Sequence, residues 1–413
     1  MNETALPPID YEAFARDLDA LRREIDANLG PEDLAHMQKI ERWGRWCTWG
    51  GYATAWIAPN PISAFLLAQG TTARWTMMMH HVGHKGYDRV PNVPERYTSK
   101  VFALGSRRYI DWLDWILPEA WHHEHNILHH YRTGELADPD MVEEHMKEIR
   151  EANLPMAIKY AIAGFYACTW KLTYYAPNTL QVLRRARKAK EARENAAASA
   201  NDDASAEGPK DRENYEEPLA SSFNPFTAEG REFFTKCFLP YGLVRFGLLP
   251  ALYAPLGLGA VTNVLLNTLG AEVITNLHSF AVIAPNHAGD DLYRFDTRST
   301  DRAEFCVRQV IGSVNFRTGG DVNDFLHGWL NYQIEHHVWP DLPMLRYQQV
   351  QPKVKEICEK HGVPYVQESV FKRVGKLLDI MVGKSSMLRT TTLSKAARVK
   401  AAREAMTVPA VAE

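Results

Sequence analysis

Twelve of the chain's 16 histidines fall in four short stretches, residues 80 to 84, 122 to 130, 278 to 287 and 336 to 337. In MMMHHVGHKGYD, His80 and His84 stand four apart, so a helix carries both imidazoles on one face. His125 and His129 repeat that spacing in WHHEHNILHHY, and His130 adds a ring turned by about 100°. His336 and His337 follow Gln333 in LNYQIEHHVWPDLP, and His287 follows Asn286 in APNHAGDD. Eight imidazoles, those of His80, His84, His125, His129, His130, His287, His336 and His337, exceed what one six-coordinate metal can use. Two metals can share them and keep positions open for oxygen.

Imidazole without thiolate suits zinc, copper, iron or nickel, so ligand type alone does not choose the metal. Structural zinc takes four ligands and catalytic zinc usually three with a water, and both leave several histidines unexplained. Carboxylate-rich diiron bundles need two Glu-x-x-His motifs, and only Glu119 to His122 stands near the clusters. The run His123-Glu124-His125 lacks the spacing of a metalloprotease helix.

A metal-bound imidazole needs a partner for its other ring nitrogen. His81, His122 and His123 are candidates for extra ligands or such partners, as are Gln333 and Asn286. Among the carboxylates, Asp290 and Glu335 lead for proximity, ahead of Asp88, Glu124 and Asp291. His278 lies nine residues before His287, about 13 Å along a helix, and competes with it for the ligand role. His36, His145 and His361 sit in charged neighbourhoods and read as solvated, and His327 reads as a packed, hydrogen-bonded histidine.

The elements that must position these residues alternate between apolar blocks and very polar stretches, which the mean hydropathy of -0.33 conceals. Residues 1 to 42 form an amphipathic, cytoplasmic N-terminal segment with Phe14, Leu18, Leu21 and Ile25 at helical spacing and no cleavable signal peptide. From Trp43 to Met79 an apolar run interrupted by Pro59 and Pro61 predicts a kinked or hairpin membrane element ending at the first histidine cluster. Residues 154 to 176 combine six aromatics with Lys159 and Lys171, the pattern of a helix lying in the membrane interface. The stretch from Arg184 to Glu217 reads as a helix start followed by a disordered charged linker. Residues 237 to 284 form a second apolar hairpin around Pro255 and Gly257. Residues 351 to 383 read as a C-terminal cytoplasmic helical segment, and 384 to 413 as a mobile basic tail. With residues 154 to 176 in the interface, both hairpins begin and end in the cytoplasm, beside the basic run Arg184 to Lys190.

Forty-seven Lys and Arg against 50 Asp and Glu exclude a basic nucleic-acid-binding protein. Five isolated cysteines supply neither a disulfide framework nor an iron–sulfur cluster. There is no Gly-x-Gly-x-x-Gly, C-x-x-C-H or His-Pro-Gly-Gly motif, so no flavin, haem or ferredoxin signature is visible.

Between about residues 45 and 350 the chain resembles the integral-membrane fatty acid desaturases and related hydroxylases, whose sequences carry three histidine boxes. His80-x-x-x-His84 is similar to the first box, His125-x-x-x-His129-His130 to the second and Gln333-x-x-His336-His337 to the third. Asn286-His287 resembles the additional ligand of that family. The resemblance implies an all-α integral membrane protein with two transmembrane helical hairpins and a cytoplasmic helical cap carrying a histidine-rich dimetal site. It makes residues 43 to 350 a desaturase-like membrane domain interrupted by the linker at 184 to 217. It further implies two non-haem irons, O2 as co-substrate, an acyl lipid substrate in a bilayer, and desaturation with two electrons from an external ferredoxin or cytochrome b5-type donor. The basic residues near Arg107 and Arg108 read as a solvated face, with docking of that donor as the alternative. The cell membrane of a bacterium is the first expected location, and the endoplasmic reticulum the second. A hydroxylase, monooxygenase or ketolase would keep the same centre, and a non-enzymatic membrane metal-binding protein is the alternative of another class.

Overall fold

A computed structural model of the chain describes residue 6, residues 9 to 199 and residues 219 to 390, which are mostly helical. Helix α1 (Tyr11–Ala27) starts at Asp10, whose carboxylate accepts from Ala13 N, and buries Phe14, Leu18, Leu21 and Ile25 against the Arg302–Ile311 and Met344–His361 helices. That stripe follows the helical period of the sequence. Helix α2 (Pro31–Ala55) runs straight through residues 42 and 43, so the expected domain boundary there falls inside one helix.

Helix α3 (Pro61–Thr72) packs back along α2 after an Asn60 cap. Glycines permit the close approach: a Cβ on Gly70 would stand 2.1 Å from Thr48 Oγ1, and one on Gly51 2.7 Å from Leu67 Cγ. A second helical pair, Ala228–Leu256 and Leu258–Asn286, folds beside the first, and Asn267 donates to Ala55 O and Ala58 O. Both hairpin turns therefore lie at one end, and α3 carries the chain from that end through Ala73–Met79 to the histidines at His80–Gly83.

Among the described residues, only Ala228–Leu256 and Leu258–Asn286 are long and apolar enough to cross a bilayer. They expose Leu243, Leu248, Leu252, Leu266 and Leu269, a surface that suits lipid better than water. Glu272 is held inward by Trp115 Nε1 at 2.7 Å and Tyr241 OH at 2.9 Å. The first hairpin forms as expected, yet its arms do not meet the same length and apolarity. By length and composition, two of the described helices qualify as candidate spans.

The helix Met156–Trp170 continues through Lys171–Tyr175 into Ala176–Ser199. Its lysines do not reach for an interface. Lys171 is buried, with Nζ 2.5 Å from the equally buried Asp114 Oδ2, and Lys159 donates to Arg150 O at 2.7 Å. Residues 184 to 199 are helical, as expected of the start of the linker, with Arg184 Nε 2.7 Å from Glu232; residues 200 to 217 of that linker lie outside the described residues.

The all-α expectation misses two small parallel pairs, β1 (Tyr293–Phe295) with β4 (Leu388–Thr390) and β2 (Asn315–Phe316) with β3 (Gln367–Glu368). Pairing with β1 and burial of Met387 hold the beginning of the expected mobile tail in place. Its basic residues from Lys395 onward lie outside the described residues. Three histidines read as solvated are packed. His36 is buried against Trp329 with Nε2 3.3 Å from Asp321, His361 meets Asp17 and Phe14, and His145 lies against Tyr174.

Candidate metal centre

Two helical runs deliver the first five imidazoles. The helix widens to π geometry before the first set (Ala73–Met79) and within the second (His122–His129): the N–H of His80 reaches Trp75 O and that of His130 reaches His125 O, five residues back. A π turn rotates the next residues relative to their places on an α-helix and is common at functional sites. The short helix Gln333–Val338 brings His336 and His337, and the turn after Ala284–Asn286 brings His287.

The eight histidines converge in two groups. His80, His84, His125, His130 and His336 place ring nitrogens within 4.8 Å of one another, and His129, His287 and His337 do the same. His80 Nε2 and His125 Nε2 stand 3.0 Å apart, about the separation of two imidazole nitrogens bound cis at about 2.1 Å to one metal. Nε2 of His84, His130, His336 and His337 is buried with no hydrogen-bond partner, a costly state for a polar atom unless a ligand satisfies it. The donor set fits a pair of metal ions.

Burial holds His80, His84, His125, His130, His336 and His337 well below the ordinary histidine pKa, and neighbouring imidazoles push the same way. His287 is pulled down to about 3, chiefly by burial. These rings stay neutral and keep their lone pairs, as metal binding requires. His129 differs. Burial lowers its pKa, but the Asp138 carboxylate outweighs that and raises it.

Four of the eight rings have their outer nitrogen fixed by a partner, whereas Nδ1 of His80, His125 and His130 is buried without one. His129 Nδ1–H donates to Asp138 Oδ1 at 2.8 Å, and the backbone N–H groups of Gly134 and Asp140 orient that carboxylate. His337 Nδ1–H donates to Gln309 Oε1 at 2.9 Å, and His287 Nδ1–H to Gly312 O at 3.2 Å. Tyr347 OH donates to Trp339 O, so it accepts from His336 Nδ1–H at 3.2 Å. Each arrangement makes Nε2 the atom that faces inward.

The sequence profile of the fatty acid desaturase family matches residues 54 to 369. The chain belongs to the fatty acid desaturase family. An NADPH-dependent stearoyl-CoA 9-desaturase of Mycobacterium tuberculosis is 26% identical over 402 residues, covering 90% of this chain and 79% of the relative. A Delta(8)-fatty-acid desaturase of Euglena gracilis is 32% identical over 124 residues, 30% of this chain and 29% of the relative. An acyl-lipid (9-3)-desaturase of Physcomitrium patens is 31% identical over 107 residues, 26% and 19% of the two chains. No solved structure matches the chain.

The remaining candidates make contacts of their own. Gln333 Nε2 donates to His287 Nε2 at 2.9 Å, competing for the lone pair a metal would use. Asn286 bonds Val282 O and Leu330 O and so fixes the turn before His287. Glu335 is buried beside the third box and bonds Asn315 and Tyr365; burial raises its pKa to about 7. His81 donates to Met77 O, His122 is exposed beside Asn126, His123 is half-buried, and none of the three is in either group. Asp290 and Asp291 pair with Lys376, Asp291 also with Arg373, and Asp88 bonds Ser99. His278 bonds Gln69 and Leu326 O, outside both groups. Arg107 is paired with Asp111, and Arg108 is buried against Lys236 O, so the pair is no free docking face.

Sequence reasoning missed Asp138, Gln309, Tyr347 and Asp140, the last lying within reach of His125 and His129. Only the Asp-Pro-Asp run behind the second box offered a signal. A cavity of about 250 Å³ opens beside the histidines, with Trp75, Trp170, Tyr175, Phe280, Ile283 and Met381 among its walls. Its lining joins an apolar interior to His80, His125, His129 and His287.

Proposed function

We propose that this chain catalyses O2-dependent desaturation of a fatty acyl chain at a histidine-held diiron centre. The supporting observation is the division of eight buried imidazoles into five and three beside one apolar cavity. Two adjacent methylenes lose two hydrogens, and O2 with two electrons and two protons becomes two waters. The irons supply the oxidising power that no side-chain base has against an unactivated C–H bond.

The protein's own groups do the rest. Asp138, Gln309, Gly312 and Tyr347 hold the rings in the tautomer that turns Nε2 to the metals. Trp75, Trp170, Tyr175 and Phe280 exclude water and seat the acyl chain against His80 and His125. The similarity to the mycobacterial enzyme along most of this chain makes a saturated long-chain acyl-CoA the first substrate to test. Electrons come from an external ferredoxin or cytochrome b5-type donor. The protein is multi-pass, with its active site on the cytoplasmic side of a bacterial cell membrane.

Expression in a host poor in unsaturated lipids, followed by mass spectrometry of total fatty acids, tests the reading. A new species two mass units lighter than a host acyl chain is expected, and His336→Ala should abolish it. A gain of sixteen units without the loss of two would assign a hydroxylase instead.

A further inference from the structure

Arg74 is the one charged residue in the apolar run from Ile62 to Met79. The residue is exposed, and among the described residues no carboxylate pairs with it. Its electrostatic neighbours Arg245 and Arg45 carry the same sign. Arg245, itself buried, donates to the hydroxyls of Tyr52 at 2.8 Å and Thr71 at 3.4 Å and is near enough to the Glu272 carboxylate to be stabilised by it.

Arg74 lines a second cavity, of about 320 Å³, together with Arg45, Arg96 and Arg107. Glu41 and Asp111 are the acids of that lining. Glu41 takes Arg45 and Arg96, and Asp111 takes Arg107. Four arginines against two carboxylates leave a surplus of two positive charges, with Arg74 uncommitted. Arginine forks match phosphate oxygens in geometry and in charge.

The surroundings indicate where the anion comes from. Trp49 and Ile110 form part of the cavity wall and are 62% and 72% exposed. Trp46 and Tyr109 beside them are also exposed, and Ile57, Ile62 and Phe65 continue the exposed apolar surface toward the α2–α3 turn. Exposed aromatics beside arginines at the edge of an apolar band mark a membrane–water interface. The cavity is separate from the one beside the histidines. Ala73, Arg74 and Met78 face it, whereas Trp75, Thr76 and His80 of the same helical run face the other.

We propose that this arginine cavity binds the phosphate head group of an anionic phospholipid of the surrounding bilayer. The proposal rests on the membrane placement given above. One phosphodiester anion engages Arg74 and still leaves the lining positive, whereas a zwitterionic lipid brings its own cation and gains less. A bound lipid would clamp α2 and the start of the first box to the segment 96 to 111.

The test uses the full chain in detergent, with phosphatidylglycerol and phosphatidylcholine as probes. Native mass spectrometry should show about one phosphatidylglycerol retained per chain and little phosphatidylcholine. Arg74→Gln and Arg45→Gln should each lower that retention about tenfold, and Arg74→Lys should restore part of it. Iron content equal to wild type in every variant verifies folding independently of the lipid. Equal retention of both lipids, or undiminished phosphatidylglycerol in Arg74→Gln and Arg45→Gln, would overturn the site. Displacement of the lipid by inorganic phosphate alone would assign the cavity to a soluble anion and overturn it too. Flotation separates the two readings: protein that floats with neither vesicle refutes the membrane placement and the site with it. Protein that floats but shows no lipid preference refutes the site alone.

Discussion

Asp138 stands behind His129 with its carboxylate already oriented by two backbone N–H groups, a stronger hold than the neutral acceptors behind His336, His337 and His287. Asp138→Asn keeps the shape and removes the charge, so iron affinity should fall about 10- to 100-fold while helicity persists. Titration of metal-free protein with ferrous ion measures this, and wild-type affinity would show that the carboxylate only packs. His287→Ala should empty the group of three and roughly halve the iron content, whereas His278→Ala, whose ring bonds Gln69 and Leu326 O, should leave it intact. Elemental analysis of the two variants decides, and the opposite pattern would exchange their roles. The eight inward rings are legible in the sequence because i, i+4 pairs and double histidines announce a shared face. Their outer partners are not, because Gln309, Gly312 and Tyr347 reach the site from elements with no local link to the boxes.

At the scale of elements, the buried ion pair between Lys171 and Asp114 ties the Met156–Trp170 helix and its continuation to the loop before the second box. Lys171→Met leaves Asp114 buried without a partner and should cost about 3–5 kcal/mol, while adding Asp114→Leu should recover most of it. Thermal unfolding in detergent reads both effects, and a single variant that melts like wild type would show that the pair carries no stability. This lysine also shows what a local pattern leaves out. Aromatics with lysines at 154 to 176 read as a belt in the interface, yet Asp114 lies 57 residues away and draws Lys171 inside. By contrast, the stripe Phe14, Leu18, Leu21 and Ile25 of α1 was legible because burial there follows helical period alone. Strands β1 to β4 carry too few residues to show an alternating pattern.

At the scale of the molecule, two apolar hairpins share one end and the histidines share the other, so the fold separates an apolar exposed surface from a buried polar centre. The order of the boxes and the length of the second hairpin were visible in the chain. The shortfall of the first hairpin as a pair of spans was not, because Trp, Gly and Ala serve helix packing as readily as lipid contact. We propose that the eight histidines hold two irons, five rings to one and three to the other. Elemental analysis of purified, active protein tests it most directly. Two irons per chain in wild type are expected, with about one remaining in His337→Ala. A single tightly held zinc in active wild-type protein would contradict it.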